Sequence, residues 1–279
     1  MAMRIAVCMK LVPSDTQVME EEGRLVRKNI GAMPDTCSLH ALELARQLLQ
    51  ADEEKWLDVY TMGPPNAADV LKRGLALGAD RAVLLTDRAF SGSDTLGTAE
   101  VLAVAINKLE HEAGKPYDLI LFGAASSDGG TGQVGPMTAE ALGRPSASHI
   151  VSAEAADGVC TAEKELPDAM GGGRLKLEIR LPAVLTVPYG ANTPEKPKLR
   201  ARMQASKKPI QTLSKEDLFP EADAETQPAD YGGSAAKSAV TGSRLAMSTG
   251  RHAVMLAGTP AEQAAKICKI LSEGGSGNG

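Results

Sequence analysis

The sequence predicts an α/β protein: a parallel sheet with helices on both faces, followed by a strand meander and a C-terminal arm. Three observations carry that prediction. Short apolar runs alternate with longer amphipathic stretches from Arg4 to Gly143, the pattern of strands joined by crossover helices. Glycine and proline stand at the junctions. After about Ser146 the alternation gives way to extended segments joined by glycine turns.

Arg4 to Met9 is a short apolar run, as expected of a buried strand. The polar stretch Gln17 to Lys28, centred on Gly23, fits a small hairpin. Thr36 or Ser38 can cap a helix that runs to about Ala51, with Leu39, Leu42 and Leu49 among its apolar positions. Leu57 to Met62 is the next strand, stopped by Gly63-Pro64-Pro65. Ala67 to Leu77 is a helix ended by Gly78, and Ala82 to Leu85 a further strand. Asp94 can cap a helix to about Glu112, closed by Gly114. Leu119 to Phe122 is a strand that runs into a glycine-rich loop, and Pro136 to Leu142 is a helix.

Ile150 to Ala155, Val159 to Glu165 and Arg174 to Leu181 read as the meander, with turns at Asp157-Gly158 and Gly171-Gly172-Gly173. Ala183 to Val187 is one more buried strand. Asn192 to Lys208 is basic and punctuated by proline. Gln211 to Thr249 is polar and reads as a linker or an arm. Ala261 to Leu271 is a closing helix, and Glu273 to Gly279 is expected to be disordered. The division is therefore an α/β domain over 1–210 and an extended arm with its helix over 211–279.

Composition removes several functions. Of 279 residues, 3% are aromatic and the formal charge is −5, so neither a basic nucleic-acid face nor a base-stacking platform is expected. No apolar run reaches the length of a membrane span. Cys8, Cys37, Cys160 and Cys268 are scattered without a CxxC pair, which fits reduced thiols in a cytoplasm and no metal site. His40, His111, His149 and His252 are equally dispersed and are read as surface or internally satisfied side chains.

The chemistry concentrates in the loop after the fourth apolar strand, Gly123 to Pro145 (GAASSDGGTGQVGPMTAEALGRP). Ligands of open parallel sheets sit beyond such strand ends. Gly129, Gly130 and Gly132 let backbone N–H groups approach an anion, Val134 lies at the end of the loop, and the start of the following helix adds partial positive charge. Ser126, Ser127, Thr131 and Gln133 supply hydroxyl and amide groups. Asp128 either accepts from a ribose hydroxyl or ties the loop together. Cys8, Met62-Gly63 and Asp94-Thr95 lie at other strand ends and can rim the same crevice. The loop is neither a Walker A motif nor a GxGxxG fingerprint, and a tight strand-to-helix turn is the competing reading.

A second segment, Glu195 to Lys208, carries six Lys/Arg against one acid. Leu199 and Met203 stand four apart within it, flanked by Arg200. An apolar pair at helical spacing amid cations suits docking on an acidic partner.

Together these segments resemble the beta subunit of the electron transfer flavoprotein. The resemblance lies in Lys10-Leu11-Val12-Pro13, Thr61-Met62-Gly63-Pro64-Pro65, Ala76 to Arg81, Asp87-Arg88-Ala89-Phe90 and Asp94-Thr95-Leu96. It is most specific over Asp128 to Pro136, and continues in Leu181 to Val187, Asn192-Thr193-Pro194 and Leu199 to Lys208. It implies a Rossmann-like fold and an alpha-subunit partner that carries a redox-active FAD. It implies that this chain binds AMP, or a second FAD in the bifurcating members, through the loop named above and with Asp35 at its edge. It also implies a recognition loop at about 192–208 for an acyl-CoA dehydrogenase-like or other flavoprotein partner. TMGPP, DRAF and DGGTGQVGP look closer to the anaerobic and bifurcating branch. The chain departs from the family pattern at Asp35-Thr36, Ala124-Ala125, Gly130 and Glu195-Lys196.

Overall fold

A computed structural model of the chain describes residues 3–14, 19–21, 24–26, 31–50, 54–166, 171–220, 232, 236–238 and 256–274. Strand β1 (Met3–Cys8) is buried along its whole length. β2 (Leu11–Pro13), β3 (Met19–Glu21), β4 (Arg24–Val26) and β5 (Ala32–Pro34) follow as two antiparallel pairs, β2 with β5 and β3 with β4. The expected hairpin is the inner pair; Gln17, Val18, Glu22, Gly23 and residues 27–28 lie outside the described residues.

Helix α1 (Thr36–Leu48) precedes β6 (Lys55–Met62), α2 (Ala68–Ala76), β7 (Arg81–Leu85) and α3 (Thr95–Ala113). Then come β8 (Leu119–Gly123), α4 (Val134–Ala141) and the two-residue β9 (Ser146–Ala147). β10 (Ile150–Ala156), β11 (Val159–Glu165) and β12 (Arg174–Arg180) form the antiparallel meander. β13 (Ala183–Val187), α5 (Leu199–Ala205), β14 (Gln211–Leu213), α6 (Lys215–Leu218) and α7 (Pro260–Gly274) complete the chain.

The main sheet has seven strands in the order β14-β7-β6-β1-β8-β13-β9, every neighbouring pair parallel. Its two faces feed separate cores. Ile5 and Val7 point to α1 and α2, where Leu42, Leu44, Val70 and Leu71 pack. Ala6 and Cys8 point the other way, to Val101, Ala105 and Ile106 of α3. Both faces being covered explains why the central strands read as unbroken apolar runs. The meander adds Ile150, Cys160, Ala162 and Ile179 to the first core. Its first turn has φ of 51° at Asp157 and 78° at Gly158, the paired positive values of a tight hairpin turn.

Two local expectations shift and one holds. The cap of α1 is Asp35, whose carboxylate accepts from Ser38 N–H at 3.3 Å, rather than Thr36 or Ser38. Asp94 caps α3 as the sequence indicates, accepting from Gly97 N–H at 3.0 Å. Gln211, where composition places the start of a polar arm, instead opens β14, the last strand at one edge of the sheet. Leu213 and Leu218 are buried beyond it. Most of the expected arm, and residues 275–279, lie outside the described residues.

One buried charge joins the starts of two strands. Asp58 is fully buried and pairs with Arg81 at 2.6 Å. Its carboxylate also accepts from the Tyr117 hydroxyl and, at 2.8 Å, from the Trp56 indole N–H.

Candidate functional site

The chain leaves β1 for β6 and β7 on one side and returns through β8 and β13 on the other. β1 and β8 are therefore the strands between which the winding reverses, and the crevice beyond their carboxyl ends is the place where this architecture takes ligands. The glycine-rich loop begins there. A Cβ at Gly123 would lie 2.8 Å from Cys37 Cβ and 2.9 Å from Ser38 N, so only glycine lets the start of α1 cross the end of β8. Gly132 has a φ of 64°, and a Cβ there would meet Ala124 O at 2.9 Å. The loop is thus held close upon itself by backbone that no larger residue fits.

Side chains from three places in the fold converge on it. The Lys10 ammonium, just after β1, donates to Asp128 at 2.7 Å and to Ser126 Oγ at 3.1 Å. Burial pushes the Asp128 carboxyl up, but the bonds from Lys10 and Ser126 outweigh it and hold it below its ordinary value. Asp35, 2% exposed, accepts from Ser127 N–H at 2.8 Å as well as capping α1. Thr95, in the first turn of α3, donates to Gln133 Oε1 at 3.0 Å. Gly130 N–H closes a turn on Ser126 O. Gln133 makes no side-chain cap for α4, which leaves first-turn N–H groups of that helix available to an anion.

The predicted residues fall into two groups. Ser126, Ser127, Asp128, Gly129, Gly130, Thr131, Gly132 and Gln133 share one loop, and Asp35 and Thr95 reach it directly. Val134 opens α4. Cys8 ends β1 but is buried, and burial pushes its thiol far up, so it faces the core and not the crevice. Met62 also packs on the core, while Gly63 N–H bonds back to Leu85 O. Asp94 is engaged by Gly97 N–H and by Ser238 N–H and hydroxyl, which bring a piece of the C-terminal chain to the start of α3. Lys10 lies outside the residues that the sequence assigns to the site; its signals are that it is the first charge after β1 and that it heads the Lys10-Leu11-Val12-Pro13 motif.

Helix α1 also organises the basic segment. The imidazole of His40 is buried, and Gly190 N–H donates to its Nε2 at 3.2 Å. Its Nδ1 therefore carries the proton and donates to Asn192 Oδ1 at 2.9 Å. Glu195 N–H donates to Glu43, and the Glu195 carboxylate pairs with Arg46. Glu195 is thus an internal fastening of the loop. Beyond it, Leu199 and Met203 stand on α5 with 72% and 61% of their surface exposed, and Arg200 is exposed beside them. Among the described residues no cluster of metal-ligating side chains occurs, and no helix is long and apolar enough to cross a membrane.

This is a doubly wound α/β protein with a glycine-rich loop at its switch point and a short helix, α5, that exposes Leu199 and Met203. The family model of the electron transfer flavoprotein domain matches residues 23–218. The chain is 36% identical over 214 residues to the electron transfer flavoprotein subunit beta of Megasphaera elsdenii, covering 76% of this chain and 78% of that one. It is 34% identical over 224 residues to subunit CarD of the caffeyl-CoA reductase-Etf complex of Acetobacterium woodii, covering 79% and 82%. Protein FixA of Bradyrhizobium diazoefficiens is 36% identical over 213 residues, covering 76% and 73%. The chain belongs to the electron transfer flavoprotein family, among its beta subunits and FixA proteins.

Proposed function

We propose that this chain is the beta subunit of a heterodimeric electron transfer flavoprotein of the cytoplasm, which holds an adenine nucleotide, AMP or a second FAD, in the loop from Gly123 to Gln133. The observation that carries this reading is the position of that loop at the switch point, with Lys10, Asp35 and Thr95 converging on it. The residues fit such a ligand. Backbone N–H groups of Thr131 and Gly132 and of the first turn of α4 suit phosphate oxygens, and Ser126, Ser127 and Thr131 suit phosphate or ribose. The loop has no aromatic side chain, so a nucleotide is held by backbone and small polar groups rather than between rings. Asp35 serves the cradle through Ser127, whose N–H it accepts at 2.8 Å.

The FAD of the alpha subunit supplies the electron-carrying chemistry. This chain completes that subunit and presents α5 to a flavoprotein of the acyl-CoA dehydrogenase type or to another flavoprotein, with Leu199, Arg200 and Met203 as the contact. The chain beyond α6 is read as the arm. Electron transfer of this kind asks the protein for positioning and environment, not for an acid or base. Leu199→Ala in the purified heterodimer should slow electron delivery at sub-saturating partner by about tenfold, as for an apolar hot spot, with flavin content unchanged. An unaltered rate removes α5 from the docking role. A second reading is an NADH-oxidising bifurcating complex, favoured by the motifs TMGPP, DRAF and DGGTGQVGP, which look closer to the bifurcating branch. It requires two flavins per heterodimer and bleaching by NADH.

A further inference from the structure

Residues 188–198, between β13 and α5, form no helix or strand. Side-chain bonds, rather than a backbone ladder, therefore set where this segment lies. They centre on one buried imidazole of α1. Asn192 clasps His40 at two points: its Oδ1 faces His40 Nδ1 at 2.9 Å, and its Nδ2–H donates to the His40 carbonyl at 2.9 Å. The second bond orients the Asn192 amide, so its oxygen accepts and Nδ1 of the imidazole must donate. The Gly190 N–H reaches the same tautomer independently, since it donates to Nε2 at 3.2 Å. Both ring nitrogens are thus used, each on the same loop. Gly190 turns the chain there with a φ of 84°, and the Tyr189 ring packs edge-on to the imidazole, centroids 5.3 Å apart. One turn further along α1, Glu43 accepts from Glu195 N–H at 3.2 Å and pairs with Arg46, which also holds the Glu195 carboxylate.

We propose that His40 is a positioning residue for docking of the flavoprotein redox partner. Through Gly190 and Asn192 it fixes the course of the segment that leads into α5, and with it the place at which Leu199 and Met203 are presented. The inference rests on the reading of α5 as the docking element and adds the buried residue that sets its approach. The imidazole touches no partner; it acts by order already present, because a segment held in place loses less freedom on docking than one that must be fixed there. The first turn of the same helix holds the glycine-rich loop, through Asp35 and Ser127, so one rigid element locates both segments.

The first arm of the test needs no redox partner and uses the purified complex of this chain with its alpha subunit. Amide hydrogen exchange is compared in the unaltered complex and in His40→Leu. Exchange at Gly190, which loses its acceptor, and at Glu195, whose own acceptor Glu43 is untouched, should both quicken about tenfold. Unchanged exchange at Glu195 shows that His40 does not hold the segment and overturns the proposal. The second arm measures electron delivery to a purified acyl-CoA dehydrogenase-type flavoprotein. His40→Leu and Asn192→Ala should each raise the half-saturating partner concentration about tenfold, the cost of ordering a loop residue at docking, while the rate at saturation and the flavin content hold. The double variant should be hardly worse than either single one, since both break the same clasp. His40→Asn, which keeps a donor near Nδ1, and His40→Gln, which keeps an acceptor near Nε2, should each recover part of the loss. Unchanged half-saturation in both single variants, strictly additive losses, or no recovery in either conservative variant overturns the role of His40. Leu199→Ala is run beside them. If it too leaves delivery unaltered, the docking reading of α5 fails, while the exchange arm still decides whether His40 holds the segment.

Discussion

Replacing Asp35 by alanine should loosen two structures at once, the start of α1 and the glycine-rich loop. One Asp35 oxygen accepts from Ser38 N–H at 3.3 Å and the other from Ser127 N–H at 2.8 Å. Loss of an N-cap costs about 1 kcal/mol. Loss of a bond to a carboxylate costs about 1.5 kcal/mol where, as at Ser127, the freed N–H can reach water. Removing a buried carboxylate returns part of its desolvation penalty. The net is about 2 kcal/mol, or a Tm lowered by about 4–8 °C for a chain of this size. Asp35→Asn keeps one acceptor and should lose about half as much. Thr36→Ala should change stability by less than about 0.5 kcal/mol, because the side chain that caps the helix is its neighbour. Calorimetry of the purified heterodimer reads all three. The reasoning is refuted if Asp35→Ala matches the unaltered protein, or if Thr36→Ala is the damaging substitution.

Other expectations follow from the same contacts. Arg81→Met leaves the fully buried Asp58 carboxylate with only neutral donors and should cost about 3–5 kcal/mol in urea unfolding; an Asp58→Leu, Arg81→Met double variant should recover much of it. The Lys10–Asp128 pair should act at low pH. With the Asp128 pKa held down in the folded protein, its contribution is present above the unfolded value of about 3.9 and is lost as pH falls through the lower folded value. In Lys10→Met the Asp128 carboxyl should titrate at higher pH by 13C NMR, and an unmoved titration would show that Lys10 does not hold it.

Much of this molecule was legible in its sequence where chemistry is local. Asp94 precedes an apolar-periodic stretch ended by Gly114, and the helix between them occurs with both ends in place. Asp157-Gly158 supplies the two residues that tolerate positive φ, and the turn is there. Asp35, Thr36 and Ser38 are all good caps by type, so the choice among them needed the approach of Ser127 from 92 residues away. β9 and β14 hold two and three residues at the sheet edges and have no apolar run to mark them. The loop from Gly123 was visible from its glycines, whereas Lys10 lies 118 residues from its partner Asp128. Cys8 and Met62 show the converse limit. The end of a strand is legible in sequence, but which face its last side chain takes depends on the sheet, and here the core claims both.

The central claim is that this chain holds an adenine nucleotide in the switch-point loop. Denaturing the purified complex with its alpha subunit and identifying the released small molecules tests it most directly. The account predicts two adenine-containing molecules per heterodimer, the FAD of the alpha subunit and either AMP or a second FAD. Release of a single FAD and no other adenine nucleotide would contradict it.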